Sequence, residues 1–219
     1  MTQRLRAGRV ALVALLTGLG LVSAGPVSAT VPGDNGKIAY VRDGDVWVMD
    51  PDGTNQQNLT TSPDAEADPA FSPDGTTIAF SRGGDIWVMN ADGTNQMNLT
   101  NDSAPDRDPD WSPDGMKLVF ASDRERFDAE LGHNVAYRGI YVMDTDGSDA
   151  IVLRETSMFA GSEQHWVDPT WSVDGAIAFT SNDTDQPRIA AMNATDGTAY
   201  ALIGPLGGAS PSWSPDGAK

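Results

Sequence analysis

The chain has 219 residues, no cysteine and a formal net charge of −17. Its length suits one domain or one and a half, and the lack of cysteine excludes disulfides and a lipid-modified N-terminal cysteine. The negative charge offers no electrostatic attraction to nucleic acid or to anionic lipid, so we expect no nucleic-acid partner and at most a peripheral association with the cell envelope.

Residues 1–29 have the three-part layout of a secretory signal peptide. The basic start contains three arginines, Arg4, Arg6 and Arg9. An apolar run follows at 10–22, and the small residues at 27–29 suit cleavage. An uncleaved anchor is the alternative, but the run is shorter than the roughly 20 residues that a membrane span needs. We therefore predict a secreted or periplasmic protein.

From residue 37 onward the sequence repeats itself. The segment Ile38-Ala39-Tyr40 recurs 40 residues later as Ile78-Ala79-Phe80 and again as Leu118-Val119-Phe120. A second motif, Pro-x-aromatic-Ser-x-Asp-Gly, occurs at 69–75, 109–115, 169–175 and 211–217. Several short strands in a unit of about 40 residues are typical of a β-propeller.

Each unit predicts four antiparallel strands, which make one blade. Pro-x-Trp/Phe-Ser is the first strand, Pro-Asp-Gly makes a turn, and Ile-Ala-Phe is the second strand. Ile-Trp-Val-Met is the third strand, Asp-Gly turns the chain again, and a stretch ending in Leu-Thr is the fourth. The aromatic residues recur at fixed strand positions, so we expect them to pack between blades rather than to form a ligand platform. They are Phe71, Trp111, Trp171 and Trp213 on first strands and Trp47, Trp87 and Tyr141 on third strands.

The units divide the chain into an all-β propeller of about four blades. Their predicted bounds are 37–60, 67–100, 107–153 and 167–203, with a partial unit at 210–219. In one interpretation the last strand docks against 37–60 and closes a four-bladed ring. In the other, which we favour because the sequence stops one turn into a repeat, the chain is an open fragment of a larger propeller. An open arc would expose blade edges and allow self-association.

The repeat resembles that of the TolB family, a WD-type propeller pattern also seen in tricorn-like and prolyl-oligopeptidase-like propellers. The resemblance covers residues 35–219 and rests on Asp-Pro-x-Trp-Ser-Pro-Asp-Gly, Ile-Ala-Phe, Ser122-Asp123-Arg124, Ile-Tyr-Val-Met and Asp-Gly-Thr/Ser. It implies a non-catalytic propeller outside the cytoplasm, and in TolB itself a periplasmic partner of a peptidoglycan-associated lipoprotein. Only residues 30–36 separate the predicted signal peptide from the first unit, where TolB has an α/β domain.

Three aspartates begin the first strands of successive units. First strands line the channel of a propeller, so Asp68, Asp108 and Asp168 could form an acidic mouth that binds a cation. The alternative is local, because an aspartate before proline caps a turn through its side chain. Ser210 in the fourth copy weakens the ring.

Residues 123–138 are the main departure from the repeat. Phe127 and Leu131 are four residues apart, as are Arg124 and Asp128, and Gly132 could end a short helix. Propeller insertions lie on loops and often make partner contacts, although a plain solvent loop is the alternative. The predicted partner-binding residues are Arg124, Phe127, Leu131 and His133.

Other motifs give little support to metal binding or catalysis. The runs at 50–53 and 144–147 resemble the start of a calcium loop but lack its remaining ligands, so we expect hairpin turns and no required cofactor. His133 and His165 have no metal-ligand spacing, and the sequence contains no serine-hydrolase elbow or P-loop.

These observations favour an exported, non-enzymatic binding scaffold with a protein partner. The alternative is the propeller part of a peptidase or a glycan-acting enzyme whose catalytic part is absent.

Overall fold

The computed structural model describes residues 36–128, 132–157, 166–182 and 186–214. The predicted signal peptide at 1–29 and His165 lie outside these residues. Within the described ranges, no helix is long and apolar enough to cross a membrane.

The described strands form four antiparallel sheets, which correspond to successive blades. The first sheet contains β1 (Ile38–Arg42), β2 (Asp45–Met49) and β3 (Gln57–Asn58). The second contains β4 (Glu66–Phe71), β5 (Thr77–Arg82), β6 (Asp85–Asn90) and β7 (Met97–Asn98). The third contains β8 (Asp106–Trp111), β9 (Lys117–Ser122), β10 (Glu125–Asp128), β11 (His133–Asp144) and β12 (Ile151–Ser157). The fourth contains β13 (Trp166–Trp171), β14 (Ala176–Ser181), β15 (Arg188–Asn193) and β16 (Ala201–Leu202). The predicted all-β fold of antiparallel blades is confirmed.

The first-strand turns form as their sequence predicts. In the second blade, the backbone N–H of Gly75 donates to the carbonyl of Ser72 at 2.8 Å, and Gly75 has a φ of 71°. The Asp74 carboxylate accepts the Ser72 hydroxyl at 2.7 Å and the Thr76 backbone N–H at 3.0 Å. A left-handed glycine and a short acceptor side chain are what this turn requires, which explains why the motif recurs.

The hydrophobic core lies between blades. Each of three buried clusters draws side chains from two neighbouring sheets; one of them joins Val46 and Val48 of the first blade to Ile78 and Phe80 of the second. Trp111 is 8% exposed, and its indole N–H donates to the carbonyl of Ala70 at 3.0 Å. The first-strand aromatic therefore packs against the preceding blade, as predicted.

The Asp-Gly turns also touch the preceding blade. A β-carbon on Gly93 would lie 2.9 Å from the carbonyl oxygen of Leu59, and one on Gly147 would lie 2.7 Å from that of Leu99. Gly53 belongs to the first described blade and has no atom within 4 Å of such a carbon. The later glycines are therefore required for blade stacking as well as for their turns.

The predicted short helix at 123–138 is wrong. β10 and β11 pair antiparallel, with Glu125 opposite Ala136 and Asp128 opposite His133, so this segment is a hairpin that extends the third blade. Gly132 has a φ of 70° immediately before β11 instead of ending a helix. β11 continues beyond the residues that pair with β9, and this extension is the strand with which β10 pairs. The strand pairing outweighs the four-residue spacing that suggested a helix.

The described sheets form an open arc. Among the described residues, β1 pairs with β2 alone. Residues 210–214 form no strand and lie against the fourth blade, where the Trp213 indole N–H donates to the carbonyl of Thr170 at 3.1 Å. Within the described part of the chain, the last segment therefore does not pair with residues 37–60, as a closed four-bladed ring would require.

Candidate functional site at the inner edge of the blades

The first strands of successive blades converge. β4 contacts both β1 and β8, and β8 in turn contacts β13, so these strands form the inner edge of the arc. The second, third and fourth blades each have a break in pairing at the Asp-Pro step, because proline has no N–H to donate to the ladder. Asp68, Asp108 and Asp168 have φ values of 53°, 55° and 51°, and Ser210 has one of 50°. The four copies of this step therefore share one unusual backbone conformation.

The sequence-predicted aspartates line a single cavity of about 270 Å³. Its wall also includes the prolines that follow them, together with Ala70, Asp110, Thr170 and Ser210. The structure thus places Asp68, Asp108 and Asp168 together on the wall of one cavity.

Hydrogen bonds hold these carboxylates in position. Asp68 accepts the Ser81 hydroxyl at 3.1 Å. Asp108 accepts the backbone N–H of Asp168, also at 3.1 Å, and so ties the third blade to the fourth. Asp168 accepts the Ser210 hydroxyl at 2.9 Å. Each aspartate is therefore positioned by its own blade or by the next copy of the motif.

Asp108 has a strongly perturbed environment in this cavity. Burial and, to a smaller extent, the negative charges of Asp68 and Asp168 raise the pKa of its carboxyl to about 6. The Asp168 backbone N–H and the positive charge of Arg107 act in the opposite direction. A change of one proton at Asp108 therefore alters the charge of the cavity near neutral pH.

Asp110 is a structural residue that sequence reasoning missed. It accepts the backbone N–H of Trp111 at 2.9 Å, that of Trp171 at 2.8 Å and the Thr170 hydroxyl at 3.0 Å. Burial raises the pKa of its carboxyl, and these three donors oppose the shift. The signal was present, because the equivalent position is Ala70, Thr170 or Ser212 in the other copies. A lone carboxylate in a repeat indicates a special contact.

Within the described ranges, no three His, Cys, Asp or Glu side chains are arranged to hold a metal ion. Asp68, Asp108 and Asp168 share the cavity without forming such a group, and their binding of a cation stays a prediction.

Of the predicted partner-binding residues in the 123–138 segment, the structure describes the side chains of Arg124 and His133. Arg124 lies 3.2 Å from both Asp102 and Asp106, and its guanidinium lies 4.9 Å from the centre of the Tyr141 ring. It therefore supports the blade. His133 is exposed at the start of β11, and its ring bonds to the carbonyl of Asn134 at 2.8 Å. Phe127 lies on β10, and Leu131 lies outside the described residues.

The Asp-x-Asp-Gly runs form turns, as predicted. The Asp52 carboxylate accepts the backbone N–H of Thr54 at 2.9 Å and its hydroxyl at 2.6 Å, and Asp146 does the same with Ser148 at 2.9 and 2.6 Å. These bonds lower the pKa of both aspartates. Their local donors account for the acidic pattern.

Comparison with known proteins supports the propeller assignment. The family model described as the tricorn protease N-terminal β-propeller domain matches residues 30–137, just under half of the chain. No curated protein sequence matches the chain.

Solved structures match over a longer stretch. A protein assigned as TolB from Agrobacterium tumefaciens is 24% identical, with a TM-score of 0.61 over 83% of this chain and 66% of that one. TolB from Acinetobacter baumannii is 25% identical, with a TM-score of 0.64 over 85% of this chain and 46% of that one. An oligogalacturonate lyase in complex with manganese is 22% identical, with a TM-score of 0.52 over 79% of this chain and 48% of that one. This chain thus spans less than two thirds of either TolB structure. The TolB-like resemblance predicted from the repeat is confirmed.

Proposed function

Because this chain has a β-propeller of the TolB-like type, we propose that it is a non-enzymatic scaffold that binds a protein partner outside the cytoplasm. The extracytoplasmic location is inferred from the layout of residues 1–29, and the partner class from the likeness to TolB propellers.

One observation supports the proposal above the others: the repeated Asp-Pro step builds a fixed acidic mouth. The Asp68, Asp108 and Asp168 side chains line one cavity, and each is held by a hydrogen bond within the fold. Groups that are already positioned lose little conformational entropy when a partner binds, so such a surface suits recognition. Its negative charge favours a partner segment that presents cationic groups or N–H donors.

A capture experiment tests this proposal. The protein is immobilised and exposed to a cell-envelope extract of the organism that produces it. The wild type is compared with the triple variant Asp68→Asn, Asp108→Asn, Asp168→Asn. A matched triple variant, Asp52→Asn, Asp92→Asn, Asp196→Asn, removes the same number of charges from exposed turns.

We call the variant of Asp68, Asp108 and Asp168 the channel variant and the variant of Asp52, Asp92 and Asp196 the turn variant. We expect the wild type and the turn variant to retain the same specific protein, and the channel variant to lose it. Equal recovery by both triple variants would place the binding elsewhere. The enzyme alternative is tested on the same preparation with peptide and oligosaccharide substrates. Turnover that disappears in Asp108→Asn would contradict the non-enzymatic part of the proposal, because a carboxyl with a raised pKa suits proton transfer.

A further inference from the structure

A second cavity lies between the second and third blades, away from the inner edge. Its volume is about 500 Å³. Its wall combines apolar side chains with two carboxylates, namely Val88, Met89, Met97, Trp111, Asp74 and Asp114. Val88, Met89 and Trp111 are at most 8% exposed, whereas Met97 is 48% exposed. The cavity therefore has a buried apolar floor and one solvent-facing apolar side chain.

The two carboxylates come from adjacent Pro-Asp-Gly turns. The turns are in contact, since a β-carbon on Gly115 would lie 3.6 Å from the Pro73 ring. One oxygen of each aspartate, Oδ1, accepts the donors of its own turn: the Ser72 hydroxyl at 2.7 Å for Asp74 and the Ser112 hydroxyl at 2.6 Å for Asp114. Those turn bonds lower the pKa of both aspartates, so both are ionised at neutral pH. In each case Oδ2 accepts no hydrogen bond from the described residues.

The cavity opens on a predominantly acidic face. We call it the turn face, because it is formed by the turns that follow the first and third strands. It carries Asp50, Asp52, Asp74, Asp92, Asp114, Asp144, Asp146, Asp174 and Asp196. The lysines of the described residues, Lys37 and Lys117, also lie there, but each is paired with an aspartate, Asp50 and Asp144 respectively.

The arginines are at the opposite ends of the strands. Arg42 ends β1, Arg82 ends β5 and Arg188 begins β15, all away from the Pro-Asp-Gly turns. The fold therefore keeps these arginines away from the turn face and leaves Asp74 without a cationic neighbour among the groups that shift its pKa. This pattern favours a cationic ligand on the turn face.

We propose that the cavity binds a cationic, apolar peptide segment of a protein partner. A lysine or arginine lies between Asp74 and Asp114, where it meets the unused Oδ2 atoms. A neighbouring aliphatic side chain covers Met97 and contacts the apolar floor that includes Trp111. In such a segment the positive charge meets the carboxylates at the rim of the cavity, and the neighbouring apolar side chain meets its apolar floor. A metal ion would contact the carboxylates alone. The inference rests on the proposed function, that the chain binds protein, but concerns a surface separate from the channel mouth.

The test uses synthetic peptides, so it needs no natural partner. A fluorescent peptide with alternating lysine and leucine is titrated with the full chain at low ionic strength, about 0.05 M, where screening is weak. A second peptide replaces leucine with serine, a third replaces lysine with glutamate, and spermidine serves as a cation with no side chain to insert. The protein variants are Asp74→Asn with Asp114→Asn, and Met97→Gln.

The control variant is Asp52→Asn with Asp196→Asn, which removes two charges from the same face outside the cavity. In all these aspartates, asparagine keeps one oxygen as acceptor for the turn. We expect the lysine–leucine peptide to bind, the cavity double variant to weaken binding about tenfold, and the control to weaken it less than about twofold. Met97→Gln and the serine peptide should each lower affinity by at least about threefold.

Equal weakening by the two double variants would overturn the inference, because it would show attraction to the whole face. Equally tight binding of spermidine or of the serine peptide would overturn it as well, since the apolar floor would then have no part. Failure of the peptides together with channel-dependent capture of a protein would refute this inference and leave the proposed function standing.

Discussion

Replacing Asp108 with asparagine should stabilise the protein at neutral pH. Asparagine keeps an oxygen that can accept the backbone N–H of Asp168, which now lies 3.1 Å from the Asp108 carboxylate. It also tolerates the left-handed backbone at this position, where φ is 55°. The substitution therefore removes the charge and leaves the local geometry in place.

The size of the effect follows from the titration of Asp108. Its pKa rises from 3.8 to about 6 in the fold, so between these values the native state binds more protons than the unfolded state. The contribution of Asp108 to stability is therefore most favourable below about pH 4 and is lost as the pH rises through about 6. A shift of roughly two units corresponds to at most about 3 kcal/mol, and partial solvent exposure reduces this to about 1–2 kcal/mol.

Thermal unfolding of wild type and Asp108→Asn at pH 4 and pH 7.5 measures this difference. The variant should unfold about 3–6 °C higher at pH 7.5 and at nearly the same temperature at pH 4. Asp114→Asn is the control with the opposite sign: turn hydrogen bonds lower the pKa of Asp114, so its stabilisation is present at neutral pH and is lost as the pH falls. A lower melting temperature for Asp108→Asn at pH 7.5, or a difference that does not change with pH, would refute the reasoning.

Three further predictions concern stability, two through contacts between blades and one through an ion pair inside the second blade, and each is measured by urea unfolding. Gly93→Ala should lower the free energy of unfolding by about 1–3 kcal/mol more than Gly53→Ala. Both glycines have positive φ, but only at position 93 would the added β-carbon lie 2.9 Å from a carbonyl oxygen of the preceding blade, that of Leu59. Equal losses would rule out that contact. Asp110→Ala should cost about 2–4 kcal/mol by removing the acceptor of two backbone N–H groups, and a loss below about 1 kcal/mol would argue against it. Glu66→Ala should cost about 3–5 kcal/mol because it leaves the buried guanidinium of Arg82, now 2.8 Å away, without its charge partner; a near-neutral result would contradict this.

The repeat was enough to predict the sheets, because the turn residues and the two-residue alternation recur in every unit. Val46 and Val48 alternate with half-buried residues on β2, as period-two patterning requires. The aromatic positions were also predictable, since a side chain that recurs at one strand position must meet the same neighbour in each unit.

The segment at 123–138 was not predictable from local spacing. Phe127 and Leu131 suit one helix face, but pairing between β10 and β11 decides the structure, and that pairing depends on the extension of a strand anchored in the third blade. Arg124 looked like a loop residue, yet it contacts Asp102 and Asp106.

The candidate site was predictable in position and incomplete in detail. Asp68, Asp108 and Asp168 were found from their place in the motif, and they line one cavity. The raised pKa of Asp108 depends on burial and on charges from neighbouring blades, which no single unit of sequence contains. Asp110 was missed because it departs from the repeat instead of following it.

The claim that the channel mouth binds a protein partner is tested most directly by the affinity of that partner. The protein captured by the wild type is purified and titrated against three forms of the chain: the wild type, the channel variant with Asp68, Asp108 and Asp168 changed to asparagine, and the turn variant with Asp52, Asp92 and Asp196 changed to asparagine. We predict that the channel variant binds at least about tenfold more weakly than the other two forms. Equal affinity for all three forms would contradict the account.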